Sequence, residues 1–178
     1  MTMQQILSGA RIFDGQQFLD DHCVVIKNGL IDSIQLAKDI PAAQEDTHTE
    51  LAGGILAPGL IDLQVNGGGG ILFNNAPDSE SAITMSSAHR TKGVCGIFPT
   101  IISDSNATID TGVNTIRKMI QTKAPGILGA HIEGPFFNMS RRGVHNEKYI
   151  RKMTQQDVDW LISLADIPIL LTLAPECT

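Results

Sequence analysis

The sequence is short of cysteines, of basic residues and of long apolar runs, and each shortage excludes a class of protein. Its three cysteines include no CxxC pair, which argues against a disulfide or zinc framework and predicts reduced thiols in a cytoplasmic protein. They are Cys23, Cys95 and Cys177. Against 19 aspartates and glutamates there are 13 lysines and arginines, a net charge of −6. This acidic balance argues against nucleic acid as a partner and favours a small molecule.

No membrane-spanning or secretory segment is predicted. Glycines, a proline and an aspartate interrupt the longest apolar stretch, residues 51–65, whereas a spanning helix needs about 20 apolar residues. Residues 1–15 have no basic segment followed by an apolar one, so they do not form a signal peptide. We therefore expect no membrane partner.

The composition is that of a globular protein. Hydrophobic residues make up 42% of the chain, charged residues 18% and aromatic residues only 4%. These fractions exclude a disordered chain. A length of 178 residues fits one domain, or one domain with a small additional module.

The first fifty residues predict short antiparallel strands. Asn28-Gly29 lies between two apolar runs, and this dipeptide is a strong signal for a two-residue hairpin. The polar segment 40–50 is expected to be a surface loop. The strand-like segments are residues 6–12, 23–26 and 30–34.

From residue 55 onward, apolar strands alternate with amphipathic helices. This alternation predicts a parallel α/β sheet whose strands are buried and whose carboxyl ends lie on one side. The expected strands are residues 55–65, 94–98, 126–133 and 167–173. The expected helices are residues 79–92, 106–122 and 154–165.

Two of these expected strands have polar side chains at their carboxyl ends. The two-residue period of a strand places His131 and Glu133 on the same side, and Gly134-Pro135 leaves Glu133 at the rim. Burying a carboxylate is unfavourable unless it is paired or metal-bound, so Glu133 is either a functional group or a residue held by backbone donors. Gln64 and Asn66 repeat this geometry. Their amides could bind substrate or water, or fix the glycine loop that follows, but they are poor zinc ligands.

The segment Leu56-Ala57-Pro58-Gly59-Leu60-Ile61-Asp62 resembles the first barrel strand of the amidohydrolase superfamily. Many members continue with His-x-His, where this sequence has Gln64 and Asn66. With this replacement and four further motifs, the sequence resembles the N-acetylglucosamine-6-phosphate deacetylases. The resemblance extends from residue 1 to residue 178. The other motifs are Asn66-Gly67-Gly68-Gly69-Gly70, His131-Ile132-Glu133-Gly134-Pro135-Phe136, Arg142-Gly143-Val144-His145-Asn146 and Leu173-Ala174-Pro175-Glu176.

The resemblance implies a two-part α/β fold. Residues 1–53 would be the N-terminal part of a small antiparallel β-sandwich domain. Residues 54–178 would be the first four βα units of a (β/α)₈ barrel of the TIM type, about half of the complete barrel.

The resemblance also assigns roles to individual residues. Glu133 matches a ligand of one divalent metal ion, Zn²⁺ or alternatively Fe²⁺ or another divalent ion. Val144 and His145 match substrate-binding positions, with His145 near the acetamide group. The residues expected to order water or to support this site are Gln64, Asn66 and His131. Surface positions are expected for His22, His48 and His89, whereas Arg141 and Arg142 are either solvated or phosphate-attracting.

The implied reaction is hydrolysis of N-acetylglucosamine 6-phosphate to glucosamine 6-phosphate and acetate by a full-length homodimer. The family takes two metal-binding histidines and its catalytic aspartate from later strands, so we expect this chain to hold no catalytic base. On that expectation the 178 residues are an inactive N-terminal portion. Two alternatives remain: a non-catalytic fragment that binds sugar phosphate or a partner chain, or another enzyme of the superfamily.

Overall fold

The computed structural model describes residues 4–40 and 47–178, so the middle of the expected 40–50 loop lies outside the described residues. The chain divides into two compact units, one ending at Pro58 and the other comprising Gly59–Thr178. In the part of the chain described, no helix is long and apolar enough to cross a membrane.

The first unit is built from short strands in two sheets. One sheet has the order β5-β4-β1-β6 and the other the order β3-β2-β7. The strands are β1 (Gln4–Ser8), β2 (Arg11–Phe13), β3 (Phe18–Leu19), β4 (His22–Lys27), β5 (Leu30–Leu36), β6 (Thr47–Glu50) and β7 (Ile55–Leu56).

The hairpin predicted from Asn28-Gly29 is confirmed. Strands β4 and β5 are antiparallel, and Lys27 pairs with Leu30 across a two-residue turn. Both turn residues have positive φ, 53° at Asn28 and 75° at Gly29. Positive φ at both positions defines a type I′ turn, whose twist matches that of the flanking strands.

Three features of the first unit differ from the sequence expectation. The strands are not purely antiparallel, because β1 pairs with β6, and β2 with β7, in parallel. Part of the expected 40–50 loop is strand β6, whose Thr47-His48-Thr49-Glu50 lies along β1. The expected strand 6–12 is broken at Gly9, where φ is +79° and a Cβ would lie 2.3 Å from the carbonyl oxygen of Leu51. That crowded, left-handed position excludes a continuous strand.

The second unit contains the predicted parallel sheet, in the order β8-β11-β12-β13 with every neighbouring pair parallel. The strands are β8 (Leu60–Val65), β9 (Gly67–Gly68), β10 (Ile71–Leu72), β11 (Val94–Ile102), β12 (Ala130–Glu133) and β13 (Ile169–Thr172). The helices are α1 (Ser79–Arg90), α2 (Asn106–Gln121) and α3 (Gln155–Ile162). Three βα units are therefore present, and β13 is followed by a short 3-10 helix, Pro175–Cys177.

Local signals place the helix ends. The side chains of Asp78 and Ser105 accept the N–H groups of Ser81 and Thr108, and so cap α1 and α2. Thr154 caps α3 in a capping box with Asp157. These caps satisfy backbone donors that have no partner inside the helix.

The core of the second unit lies between the sheet and its helices. Helix α2 buries a face at the helical spacing expected from the sequence, with α1 and the central strands β11 and β12 packed around it. The fully or nearly fully buried members are Val65, Phe73, Ala82, Met85, Ile97, Ile101, Ile109, Val113, Ile116, Met119, Ile127, Ala130, Ile132, Leu164 and Ile167.

The expected strand 55–65 is not one buried strand. Ile55 and Leu56 belong to β7 of the first unit, and Pro58-Gly59 precede a separate strand, β8. Strand β8 is at an edge of its sheet, and Leu60 and Ile61 are 63% and 58% exposed. Within the described residues the prediction of burial on both faces is wrong for β8, because no packed element covers these two side chains.

Candidate functional site

Glu133 stands at the carboxyl end of the parallel sheet. It is the last residue of β12 and is in register with Ile102 of β11 and Thr172 of β13. Its Oε2 accepts a hydrogen bond from Nε2 of Gln64 at 3.1 Å, although Gln64 lies on β8, two strands away. The expectation that these polar side chains converge at one rim is confirmed for this pair.

His145 approaches the same carboxylate from the loop that follows β12. Its Nε2 lies 3.9 Å from Oε1 of Glu133, and its ring packs edge-on against Phe137 with centroids 4.6 Å apart. Nδ1 lies 2.8 Å from the hydroxyl oxygen of Ser103. Burial lowers the pKa of His145 below its usual value, while the charge of Glu133 acts in the opposite direction. The imidazole is thus buried beside a carboxylate and favoured in its neutral form.

His131 is fully buried and ties three strands together. Its Nδ1 lies 3.1 Å from the hydroxyl oxygen of Thr100 on β11, and its Nε2 lies 2.8 Å from that of Thr172 on β13. Burial lowers the pKa of His131, again opposed by the nearby Glu133 charge. With both ring nitrogens engaged by threonine hydroxyls, the geometry suits a supporting role beneath Glu133.

Asn66 and Val144 are placed differently from Glu133 and His145. The backbone carbonyl of Asn66 accepts the N–H of Phe73, and among the described residues its side chain makes no hydrogen bond to Glu133. The side chain of Val144 is 90% exposed, on the turn just before His145. It is therefore accessible to a ligand that reaches His145.

Two other sequence expectations are resolved by the contacts. Arg142 donates to the carbonyl oxygen of His145 at 2.7 Å and lies 3.7 Å from Glu147, so it holds the loop. The expectation that His89 is a solvated surface residue is wrong. Its Nε2 lies 3.1 Å from the carbonyl oxygen of Gly67, and it fixes helix α1 to the glycine loop.

Sequence reasoning missed Ser103 and Asn74. Ser103 directly follows β11 and contacts His145, and Asn74 bonds the backbone of Ile102 just before it. The sequence signal that could have found Ser103 is its place directly after a predicted parallel strand. The carboxyl ends of such strands lie on the side of the sheet where ligands bind.

A metal ion would find only part of its ligand set in the described residues. Glu133 is a carboxylate oxygen donor of the kind that divalent ions accept. However, no group of three His, Cys, Asp or Glu side chains in the described chain is arranged to hold a metal. The described residues therefore do not complete a zinc site by themselves.

Comparison with known proteins links this arrangement to amino-sugar phosphate enzymes. The family model "NagA composite domain" matches residues 6–56. The chain is 34% identical over 174 residues to an N-acetylgalactosamine-6-phosphate deacetylase of Shewanella sp. (strain ANA-3), with 96% of this chain and 43% of that protein aligned. It is 31% identical over 177 residues to an N-acetylglucosamine-6-phosphate deacetylase of Haemophilus influenzae, covering 98% and 45%. The chain thus spans less than half the length of these relatives.

Solved structures show the same relationship in three dimensions. The N-acetylglucosamine-6-phosphate deacetylase of Pasteurella multocida matches with a TM-score of 0.92 and 28% identity, over 98% of this chain and 46% of that one. A mutant of the enzyme from Mycobacterium smegmatis, in complex with N-acetyl-D-glucosamine-6-phosphate, matches with a TM-score of 0.78 and 21% identity. That match covers 99% of this chain and 44% of the other, and it shows that the fold is shared.

Proposed function

The chain belongs to the N-acetylglucosamine-6-phosphate deacetylase family, and from this premise we propose that the whole protein hydrolyses the N-acetyl group of an N-acetylhexosamine 6-phosphate. The products are acetate and the free amino-sugar phosphate. The observation that carries the proposal is the convergence of Gln64 and His145 on Glu133 at the carboxyl end of the sheet. In α/β sheets this end is where ligands bind.

In this proposal Glu133 contributes one ligand to a divalent ion, Zn²⁺ or Fe²⁺, and the other ligands come from residues outside those described. Such an ion, when bound, supplies Lewis-acid activation of water and of the amide carbonyl. Gln64 holds one oxygen of Glu133 through its 3.1 Å hydrogen bond and so fixes the carboxylate's orientation. His131 supports the same strand end from below.

The substrate is placed by the loop of Val144 and His145. The imidazole of His145 donates toward the acetamide oxygen and stabilises the negative charge that develops there. Because Val144 is exposed beside it, we place the sugar against this side chain. The catalytic base is not among the described residues in this proposal, and the 178-residue chain alone is inactive.

The resemblance also supports proposals about the compartment, the assembly and the partner of the whole protein. In these proposals it is a cytoplasmic homodimer, and its partner in the reaction is a small sugar phosphate rather than a nucleic acid or a membrane. The mycobacterial relative solved with N-acetyl-D-glucosamine-6-phosphate supports the substrate class.

N-acetylgalactosamine 6-phosphate is the second candidate substrate. It is favoured by the 34% identity to the Shewanella protein, against 31% to the Haemophilus protein. The two sugars differ only in configuration at one carbon. Release of acetate from each, measured with the full-length protein at several concentrations, decides between them through kcat/KM.

Glu133 gives the sharpest test of the proposed site. Glu133→Gln removes a charged ligand but keeps the size of the side chain, and we expect bound metal and kcat/KM to fall by about a hundredfold or more. The measurements are elemental analysis and acetate release. The matched control is Glu80→Gln in the first turn of α1, where a surface glutamate is replaced. Unchanged metal content in Glu133→Gln would return Glu133 to a structural role.

A further inference from the structure

Ser103 contacts both parts of the candidate site. It directly follows β11 and is buried, with 3% of its surface exposed. Its hydroxyl oxygen lies 2.8 Å from Nδ1 of His145 and 3.5 Å from the carbonyl oxygen of Glu133. One small side chain therefore joins the loop that carries His145 to the strand end that carries Glu133.

The backbone of Ser103 decides which nitrogen of His145 carries the proton. The N–H of Ser103 donates to Nδ1 of His145 at 3.4 Å. A backbone N–H can only donate, so Nδ1 must be an acceptor without a proton of its own. The Ser103 hydroxyl, 2.8 Å from the same nitrogen, then donates its single proton there. Its 3.5 Å approach to the carbonyl oxygen of Glu133 is therefore a contact and not a second donated hydrogen bond. In the neutral imidazole the remaining proton is on Nε2.

The N–H of His145 at Nε2 is available for a ligand. Nε2 lies 3.9 Å from Oε1 of Glu133, which is beyond hydrogen-bond distance. The proton is thus not engaged by Glu133, although it is directed to the same side of the site. A carbonyl oxygen placed beside Glu133 can accept it.

The segment around Ser103 is itself held in place. Oδ1 of Asn74 accepts the N–H of Ile102 at 2.9 Å, and Nδ2 of Asn74 donates to the carbonyl oxygen of Ile102 at 3.1 Å and to Oδ2 of Asp104 at 3.2 Å. The residues on both sides of Ser103 are therefore fixed by one amide.

The hydroxyl of Ser103 also packs against Gly134, where an added Cβ would lie 2.2 Å from Oγ of Ser103. A glycine is required there to leave room for the hydroxyl.

We propose that Ser103 is a positioning residue that keeps His145 in the tautomer with its proton on Nε2, directed at the acetyl carbonyl oxygen of the substrate. The catalytic part of this inference rests on the proposed deacetylation. The tautomer is a property of the protein itself and is measurable without substrate. A histidine in the opposite tautomer would present a lone pair where the oxyanion needs a donor.

The tautomer is tested by long-range ¹H–¹⁵N NMR of the full-length protein labelled with ¹⁵N-histidine. The His145 signals are assigned by their loss in His145→Asn. We expect an unprotonated Nδ1 and a protonated Nε2 in the wild type. In Ser103→Ala the backbone N–H to Nδ1 remains and only the hydroxyl donor is lost, so we expect the Nδ1 signal to move while the proton stays on Nε2. A protonated Nδ1 in the wild type would overturn the inference.

The kinetic test uses the same variants. Ser103→Ala should lower kcat roughly three- to tenfold with KM almost unchanged, since one buried hydrogen bond that matters in the transition state is lost. Ser103→Thr keeps the hydroxyl and should restore part of kcat. The control, Ser86→Ala, removes another buried serine, on α1, and should match the wild type in both readouts.

The outcomes separate this inference from the proposed function. If Ser103→Ala leaves kcat and the His145 spectrum unchanged while Ser86→Ala also matches the wild type, the Ser103 hydroxyl has no positioning role. If the wild type hydrolyses neither sugar phosphate, the proposed function fails, and the NMR spectrum still decides whether Ser103 sets the tautomer.

Discussion

At the scale of single residues, the shortest ion pair in the second unit is that of Arg151 with Asp157, at 2.6 Å. The two carboxylate oxygens of Asp157 each accept a guanidinium N–H at 2.6 Å, and one of them also accepts the N–H and the hydroxyl of Thr154. The Arg151 guanidinium also lies 5.1 Å from the ring centroid of Phe136. Hydrogen bonds from Arg151, followed by those from Thr154, hold the pKa of Asp157 well below its usual value of 3.8.

This pKa predicts an acid-sensitive contribution to stability. Asp157 stays ionised in the folded protein while it takes up a proton in the unfolded chain below about pH 4, so acid favours unfolding. The stabilisation is complete above the unfolded pKa and is lost as the pH falls. At about pH 7, Asp157→Asn should lower the unfolding free energy by about 2 kcal/mol, less than for a fully buried pair because Arg151 is partly exposed.

The measurement is urea unfolding of wild type and Asp157→Asn at about pH 7 and about pH 3. We expect the difference between the two proteins to shrink at the lower pH, because the asparagine does not titrate. Asp159→Asn is the control, since Asp159 accepts one hydrogen bond from Gln155 and has no arginine partner in the described chain. A wild type to Asp157→Asn difference that stays constant with pH would contradict the prediction.

At the scale of elements, the turn of the β4–β5 hairpin depends on backbone conformation. Gly29 has a φ of +75°, and a Cβ added there would have no heavy atom within 4 Å. Any cost of substitution therefore comes from the left-handed conformation and not from a steric clash. Asn28 adopts the same region, which asparagine tolerates because its short polar side chain can bond locally.

Gly29→Val should destabilise the protein by about 1–2 kcal/mol, because a β-branched residue is strained at positive φ. Gly29→Asn, the matched control, should cost much less for the reason that applies to Asn28. Thermal or urea unfolding of the wild type, Gly29→Val and Gly29→Asn measures both losses of stability. Equal stability of the valine and asparagine variants would show that the turn is not constrained to positive φ.

At the scale of the whole molecule, the apolar side chains of strand β8 are exposed in the described chain. It is an edge strand of the parallel sheet, and Leu63, at 50%, is exposed like Leu60 and Ile61. An edge strand offers unpaired backbone groups as well as these side chains, and both favour pairing with another chain.

We expect the 178-residue chain, expressed alone, to associate at β8. Leu63→Lys should weaken that association, because a lysine on an edge strand opposes pairing. Ile83→Lys is the control: this residue is 53% exposed and belongs to helix α1, which offers no unpaired strand backbone. Sedimentation velocity measures the effect. Equal behaviour of the two variants, or a monomeric wild type, would contradict the prediction.

Much of the fold follows from local sequence signals. Asn28-Gly29 specifies the hairpin because the turn needs two residues that tolerate positive φ. The alternation of apolar strands with capped helices specifies a parallel sheet. It does not specify the strand order, because doubly wound sheets have the same alternation with a different order. The period of two along a strand, with Gly134 after it, places Glu133 at the rim.

Only the tertiary structure decided what lies beside these elements. Strand β6 is a strand because β1 pairs with it in parallel from 42 positions earlier in the chain, and no local pattern in a polar segment indicates that partner. The apolar residues of β8 have the pattern of a buried strand, yet burial depends on neighbours that the pattern does not contain. Likewise Gln64 meets Glu133 across β11, and Ser103 meets His145 from 42 positions away in the chain. A sequence specifies which side chains can bond, but long-range packing brings the two partners within hydrogen-bond distance, and that distance decides which bonds form.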